Sequence, residues 1–268
     1  DWEWTTLREA MIEAGAEALR FAAEGFETHT KSDQSPVTTA DLTIDRLLRE
    51  RLTAAFPKDG WLSEETEDGP DRLSKQRVWI VDPIDGTRAY VRGLPEFCIS
   101  AALVEHGTPA LSAVYNPARG EWFSAIRRRG LHVERLGSAR EAPFDPGDRP
   151  LLLVNPWELR TGRLRALECH MRCQPIGSIA YALALVAAGL ADGALMLEGG
   201  NEWDLAAGML LVEESGGLAT APAGHTLVFN QPDPRQTGAL AIGRTLRPAL
   251  STLLRDVAST PRERSAHH

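Results

Sequence analysis

Apolar side chains first recur along this chain at helical spacing. Leu7, Met11, Ala14 and Ala18, followed by Phe21 or Ala22, fall on one face, the 3.6-residue period of an amphipathic helix. Thr6-Leu7-Arg8-Glu9 reads as a capping box opening that helix, and Gly25 marks its end. A polar stretch over 28–36 reads as a mobile flap. A second helix is predicted from Asp41, with Ile44, Leu47, Leu48, Leu52 and Phe56 on its apolar face and Pro57 as its stop. The pattern then changes to short apolar runs. Strands are predicted over 78–81, 97–104, 109–115, 121–126 and 131–134. His106-Gly107 turns a hairpin, and Asn116-Pro117 turns into the next strand.

A proline-rich, acidic stretch over 140–150 reads as a boundary between two lobes, 1–145 and 146–268, which form one compact unit. Beyond it, strands predicted over 151–154, 194–197, 218–220 and 239–242 alternate with helices over 161–170, 179–188, 205–214 and 245–257. That order points to a layered α/β architecture.

Composition narrows the function. The chain has 268 residues, 43% of them hydrophobic, and a formal charge of −8. Its length and apolar content suffice for a sizeable core. With no basic stripe, a nucleic acid polymer is not an expected partner. A phosphorylated small molecule remains compatible, because a bound cation reverses the local sign of a site. Arg127-Arg128-Arg129, set before Gly130, reads as a solvated turn. Three cysteines, Cys98, Cys169 and Cys173, suggest no disulfide framework and fit a reducing cytoplasm. Cys169-His170-x-x-Cys173 lacks a second ligand pair, so these are expected to be structural cysteines on a helix. His29, His106 and His132 read as surface residues. The apolar stretch 179–190 is too short to span a bilayer, no leader is visible, and the polar stretch 260–268 is expected to fray.

The chemistry gathers in Val78-Trp79-Ile80-Val81-Asp82-Pro83-Ile84-Asp85-Gly86-Thr87. A buried strand runs straight into two carboxylates at i, i+3. Such an all-oxygen environment suits a hard cation such as Mg²⁺, and Gly86-Thr87 can aim backbone N–H groups at an anion. Three further places supply acids or hydroxyls: Thr38-Thr39-Ala40-Asp41, Leu62-Ser63-Glu64-Glu65 and Trp203-Asp204-Leu205-Ala206-Ala207-Gly208. Taken singly, Asp41 and Asp204 could be helix N-caps and Glu64-Glu65 solvated turn residues. Asp82 and Asp85 resist such a reading, since carboxylates at a buried strand end are costly without a counter-charge.

Asp82-Pro83-Ile84-Asp85-Gly86-Thr87 and Trp203-Asp204-Leu205-Ala206-Ala207-Gly208 together resemble the two signatures of the inositol monophosphatase superfamily, Mg²⁺-dependent, lithium-sensitive phosphomonoesterases. The resemblance covers nearly the whole chain. It implies an αβαβα sandwich, two or three Mg²⁺ ions, a homodimer and hydrolysis of a small phosphorylated metabolite by metal-activated water. By the same resemblance Glu64, Asp82, Asp85, Asp204 and the Ile84 carbonyl are the metal ligands, with Asp82 bridging. Asp41 and Thr87 orient and deprotonate the attacking water, and Glu65 joins the catalytic group. Lys31 in the flap, Gly86, Thr87, Gly177 and Ser178 are implied substrate contacts.

On the substrate, the chain resembles both the inositol monophosphatases and the bacterial bisphosphate nucleotidases called CysQ. Glu202-Trp203-Asp204 is similar to the latter. Tyr181 stands where many nucleotidases carry a nucleotide-handling lysine, and Leu197, next to Glu198, stands where inositol monophosphatases often carry a sugar-binding glutamate. A histidinol-phosphate phosphatase, or a catalytically silent relative that binds phosphorylated ligands, is the alternative.

Overall fold

In the computed structural model, residues 2–32, 34–136, 147–197, 199–246 and 248–259 are described. The elements run α1 (Trp2–Glu24), β1 (Thr28–Thr30), β2 (Pro36–Thr38), α2 (Thr39–Ala55), β3 (Gly60–Ser63), a 3-10 turn (Pro70–Ser74), β4 (Arg77–Asp85), α3 (Thr87–Val91), β5 (Cys98–Glu105), β6 (Thr108–Asn116), β7 (Glu121–Ile126) and β8 (Leu131–Arg135). There follow β9 (Leu151–Val154), α4 (Glu158–Thr161), α5 (Arg165–Glu168), β10 (Arg172–Pro175), α6 (Ile179–Ala187), β11 (Gly193–Met196), α7 (Glu202–Glu214), β12 (Leu218–Thr220), β13 (Ala239–Ile242) and α8 (Pro248–Ser259).

Two sheets carry the architecture. β3 to β8 form a six-stranded sheet in sequence order, antiparallel except for the parallel β3–β4 pair. The second sheet has the order β10-β9-β11-β13-β12. Alternation along the strands divides the core into layers. On β4, Trp79 and Val81 face α1 and α2, whereas Val78 and Ile80 face the centre. On β9, Leu151 and Leu153 face the centre, and Leu152 and Val154 pack with Leu164 of the α4–α5 link, Leu167 of α5 and Leu254 of α8. α6 and α7 fill the space between the sheets. The result is the expected αβαβα sandwich, with β4 buried on both faces and hence apolar without alternation.

Several boundaries differ from the sequence expectation. α1 begins at Trp2, and the Thr6 hydroxyl donates back to the Trp2 carbonyl at 2.9 Å instead of capping. In α2 the cap is Thr38, and Asp41 is the N3 partner of a capping box. Of the helix expected over 161–170, only the short turn α5 forms; α4 comes before it, ends at Thr161 and is closed by Gly162 at φ 73°. The chain then extends into β10, so Cys173 lies on a strand and Cys169 is exposed after α5. α7 starts at Glu202 with Asn201 as cap, and α8 starts at Pro248. The flap is a hairpin of β1 and β2. Most of the proline-rich stretch expected to part the lobes, 137–146, lies outside the described residues, as does 260–268.

The small residues of α7 have a packing reason. A Cβ built on Gly208 would lie 2.5 Å from both Cβ and Cδ1 of Leu183 on α6. Gly208→Ala should therefore lower unfolding stability by about 1–3 kcal/mol through overpacking, read as a lower urea midpoint at fixed cation concentration. An unchanged midpoint would contradict the close α6–α7 contact.

Candidate active site

The parallel β3–β4 pair sets the site, because parallel neighbours end on the same side of the sheet. Ser63 pairs with Val81, so Glu64 and Asp82 emerge together. The β4–β5 register shifts between Asp82 and Asp85, and such a bulge re-aims side chains beside a site. Asp204 arrives from the first turn of α7. Asp82, Asp85 and Asp204 each present a carboxylate oxygen, and these atoms lie within 4.8 Å of one another. The three line a cleft of about 800 Å³ with Glu64, Ile84, Gly86, Thr87 and Gly177.

Each carboxylate is held in place. The Ile84 N–H donates to Asp82 Oδ1 at 3.0 Å, and the Asn201 N–H donates to Asp204 Oδ2 at 2.6 Å. Asp85 Oδ2 accepts from the Ser178 hydroxyl and the Ala180 N–H, both at 2.7 Å. The N-terminus of α6 therefore holds Asp85. Ser178 is fully buried and its hydroxyl is engaged there, so its side chain positions Asp85 and does not line the cleft.

Asp41 and Thr87 meet. The Thr87 hydroxyl lies 3.1 Å from Asp41 Oδ1 and 2.9 Å from the Ile84 carbonyl. Its single proton satisfies one of these acceptors at a time. Asp41 is also fixed by the Thr38 hydroxyl and by the Thr38 N–H at 2.9 Å. Lys31 reaches from the flap to Glu64 Oε1 at 2.8 Å and Glu65 Oε1 at 2.6 Å. Of the expected site residues, Glu64, Asp82, Ile84, Asp85, Gly86, Thr87, Gly177 and Asp204 line the cleft, while Lys31, Asp41, Glu65 and Ser178 stand behind them.

Asp45 is a residue that sequence reasoning missed. It is buried on α2 and accepts from the Ser63 hydroxyl and from the Thr66 hydroxyl at 2.6 Å, bracketing the Glu64-Glu65 turn. Its signal was an acid next to Ile44 and four residues beyond Asp41, on the buried face of the helix. Tyr181 is also buried, and its phenol donates to Glu121, so it does not line the cleft. Leu197 packs into the core beyond the second sheet, and Glu198 lies outside the described residues.

Burial and mutual repulsion raise the acidities together. Burial, then the neighbouring Glu64 charge, pushes the Asp82 carboxyl well above its ordinary range. Burial, then Asp85, does the same for Asp204. Burial raises Asp85 to about 7 against its Ser178 and Ala180 hydrogen bonds, and raises Glu65 to about 7 against its Lys31 hydrogen bond. Asp41 is raised by burial as well. Burial disfavours the Lys31 ammonium, but Glu64 and Glu65 outweigh it and hold its pKa above the usual lysine range. Like charges this close cannot all ionise without a counter-charge. An all-oxygen set of carboxylates with a nearby backbone carbonyl fits a hard divalent cation.

A layered sandwich that gathers acids from separate elements on one cleft floor offers a site that could hold a metal ion. Residues 3–257 match the model of the inositol monophosphatase family, and the chain belongs to that family of phosphomonoester hydrolases. It is 33% identical over 231 residues to inositol monophosphatase 2 of Solanum lycopersicum, covering 80% of this chain and 86% of that protein. It is 31% identical over 264 residues to inositol-1-monophosphatase of Rhizobium meliloti, covering 94% of each. Among solved structures, the extragenic suppressor protein suhB of Bartonella henselae superposes with a TM-score of 0.79 at 26% identity, covering 96% of this chain and 98% of that one.

The raised acids give a pH test with a definite sign. A carboxyl whose folded pKa exceeds its unfolded value binds its proton more tightly when folded. Stability is then lost as pH rises from the ordinary carboxylate range, about 4, through about 7 for Asp85 and Glu65. A divalent cation should reverse that loss, since it replaces the protons. The rise in Tm caused by millimolar Mg²⁺ should be larger at about pH 7.5 than at about pH 5. An equal rise at both pH values would contradict the clustered-acid account.

Proposed function

We propose that the chain is a Mg²⁺-dependent phosphatase that hydrolyses the phosphomonoester of a small metabolite by direct attack of water. The observation that carries this reading is the convergence of Asp82, Asp85 and Asp204 within 4.8 Å beside the Asp41–Thr87 pair. Glu64, Asp82, the Ile84 carbonyl, Asp85 and Asp204 would hold two or three Mg²⁺ ions, which supply charge neutralisation and acidify water. Lithium inhibition follows from the same assignment.

Thr87 and Asp41 act as a proton relay. In one orientation the Thr87 hydroxyl donates to Asp41 and offers its lone pair to the attacking water. Burial raises the proton affinity of Asp41, which suits a group that receives a proton during the reaction. The backbone of Gly86 and Gly177 borders the cleft and is offered to the phosphoryl group; Gly86 itself is required by its φ of 93° and by packing, since a Cβ there would lie 2.8 Å from the Glu96 carbonyl oxygen. Lys31 tethers the flap to Glu64 and Glu65 and keeps their carboxylates aimed. No covalent intermediate is required, since phosphoryl transfer rests on positioning and charge neutralisation.

Inositol monophosphate and 3'(2'),5'-bisphosphate nucleotides are the proposed substrate types. With Tyr181 tied to Glu121 away from the cleft, the missing lysine at that position does not weigh against a nucleotide. A homodimer is proposed from the family resemblance. A cytoplasmic location is proposed from the three free cysteines among the described residues.

The test is phosphate release with and without Mg²⁺ from inositol-1-phosphate, 3'-phosphoadenosine 5'-phosphate, histidinol phosphate and fructose-1,6-bisphosphate. Asp82→Asn should cut kcat by at least about a hundredfold with the fold intact by circular dichroism. Near-normal turnover by that variant at saturating Mg²⁺ would refute the assignment. Thr87→Ala should lower kcat strongly and Thr87→Ser restore most of it, because only the hydroxyl is required.

A further inference from the structure

The cleft has a second pole that the phosphatase reading leaves without a task. Beyond the acidic floor its lining includes Arg88, Arg92, Arg160 and Trp157, with Glu96 the one carboxylate added there. The rim is therefore net positive in a chain of charge −8. Arg88 and Arg92 stand four residues apart at α3 and its C-cap, on one face. Arg160 comes from α4, in the other half of the chain. All three are exposed.

Arg88 donates to the Gln34 carbonyl of the flap at 3.1 Å. The side chains of Arg92 and Arg160 form no ion pair or hydrogen bond among the described residues. Like charges at i, i+4 repel when nothing neutralises them, and a concave cleft focuses their field. Trp157, which lines the cleft beside Arg160, is 39% exposed, and an aromatic ring there offers a flat apolar face.

We propose that Arg92 and Arg160, assisted by Arg88, form a second anion subsite that selects phosphomonoesters whose leaving group carries its own negative charge. The inference rests on the phosphatase reading and deepens it. The scissile phosphoryl group lies on the acidic floor with its cations. The remainder of the substrate extends outward between α3 and α4, where a phosphate or carboxylate meets the guanidinium groups. A neutral polyol ester gains nothing there, and a cationic leaving group is repelled.

Two esters of matched shape isolate the charge: 4-carboxyphenyl phosphate and 4-carbamoylphenyl phosphate. With Mg²⁺ at low ionic strength, kcat/KM of the unaltered protein should favour the carboxylate ester by about tenfold. The Arg92→Gln, Arg160→Gln double variant should bring that ratio close to one, each single variant should lower it in part, and added salt should shrink it. A ratio of one or below in the unaltered protein, or a ratio the variants leave unchanged, overturns the subsite while the phosphatase reading stands. Metal-dependent hydrolysis of neither ester overturns both.

Discussion

Repulsion between buried carboxylates is the constraint around which this molecule is arranged. Asp82, Asp85 and Asp204 share a space less than 5 Å across with Glu64 beside them, and burial has removed most of the water that would screen them. Left alone, such a cluster splays apart or protonates. Backbone N–H groups of Ile84, Ala180 and Asn201 instead pin one oxygen of each aspartate. The Asp85 and Asp204 oxygens are also held by the first turns of α6 and α7, whose dipoles favour negative charge. The ground state is thus arranged for a cation, and the repulsion becomes binding energy when one arrives.

The layered fold supplies the rigidity this requires. β4 lies between α1 and α2 on one face and the central helices on the other, so its C-terminal end cannot relax outward. β3 brings Glu64 in parallel, and Asp45 locks that turn from α2. The second sheet braces α6 and α7 from behind. The flap is the lightest part of the assembly, joined to the site through Lys31 and through the Arg88 contact with Gln34. The end of β4 and the short helix α3 bring Asp85, Thr87, Arg88 and Arg92 to one edge of the cleft, and Arg160 reaches it from α4 in the other half of the chain.

Much of this was legible along the chain because the strongest signals were local. The run Val78 to Thr87 announces a buried strand and a helix start in order, and β5 to β7 and α6 fall within a residue of their apolar runs, whereas β4 continues past Val81 to Asp85 through a bulge that carried no sequence signal. What escaped was partly local geometry and partly contacts the fold alone supplies. Thr38, not Asp41, caps α2, because a capping box is a reciprocal geometry that two adjacent threonines leave ambiguous. β10 was hidden because its alternation is half-polar at a sheet edge, and the helix expected from 161 is shortened to α5 because Gly162 ends α4 there. Asp45 looks like an ordinary polar residue until the fold places the Glu64 turn beside it, and Ser178, expected at the substrate, proves to hold Asp85. Arg88 and Arg92 carried no sequence signal as a group with Arg160, which lies beyond β5 to β9 in the chain.

The central claim is that the acids hold divalent ions between them. Anomalous diffraction from a crystal grown with Mn²⁺ in place of Mg²⁺ tests it most directly. The account predicts manganese peaks enclosed by the carboxylates of Glu64, Asp82, Asp85 and Asp204, with oxygen ligands at roughly 2.0–2.3 Å. A cleft free of manganese at saturating concentration, or those side chains turned apart toward solvent, would contradict it.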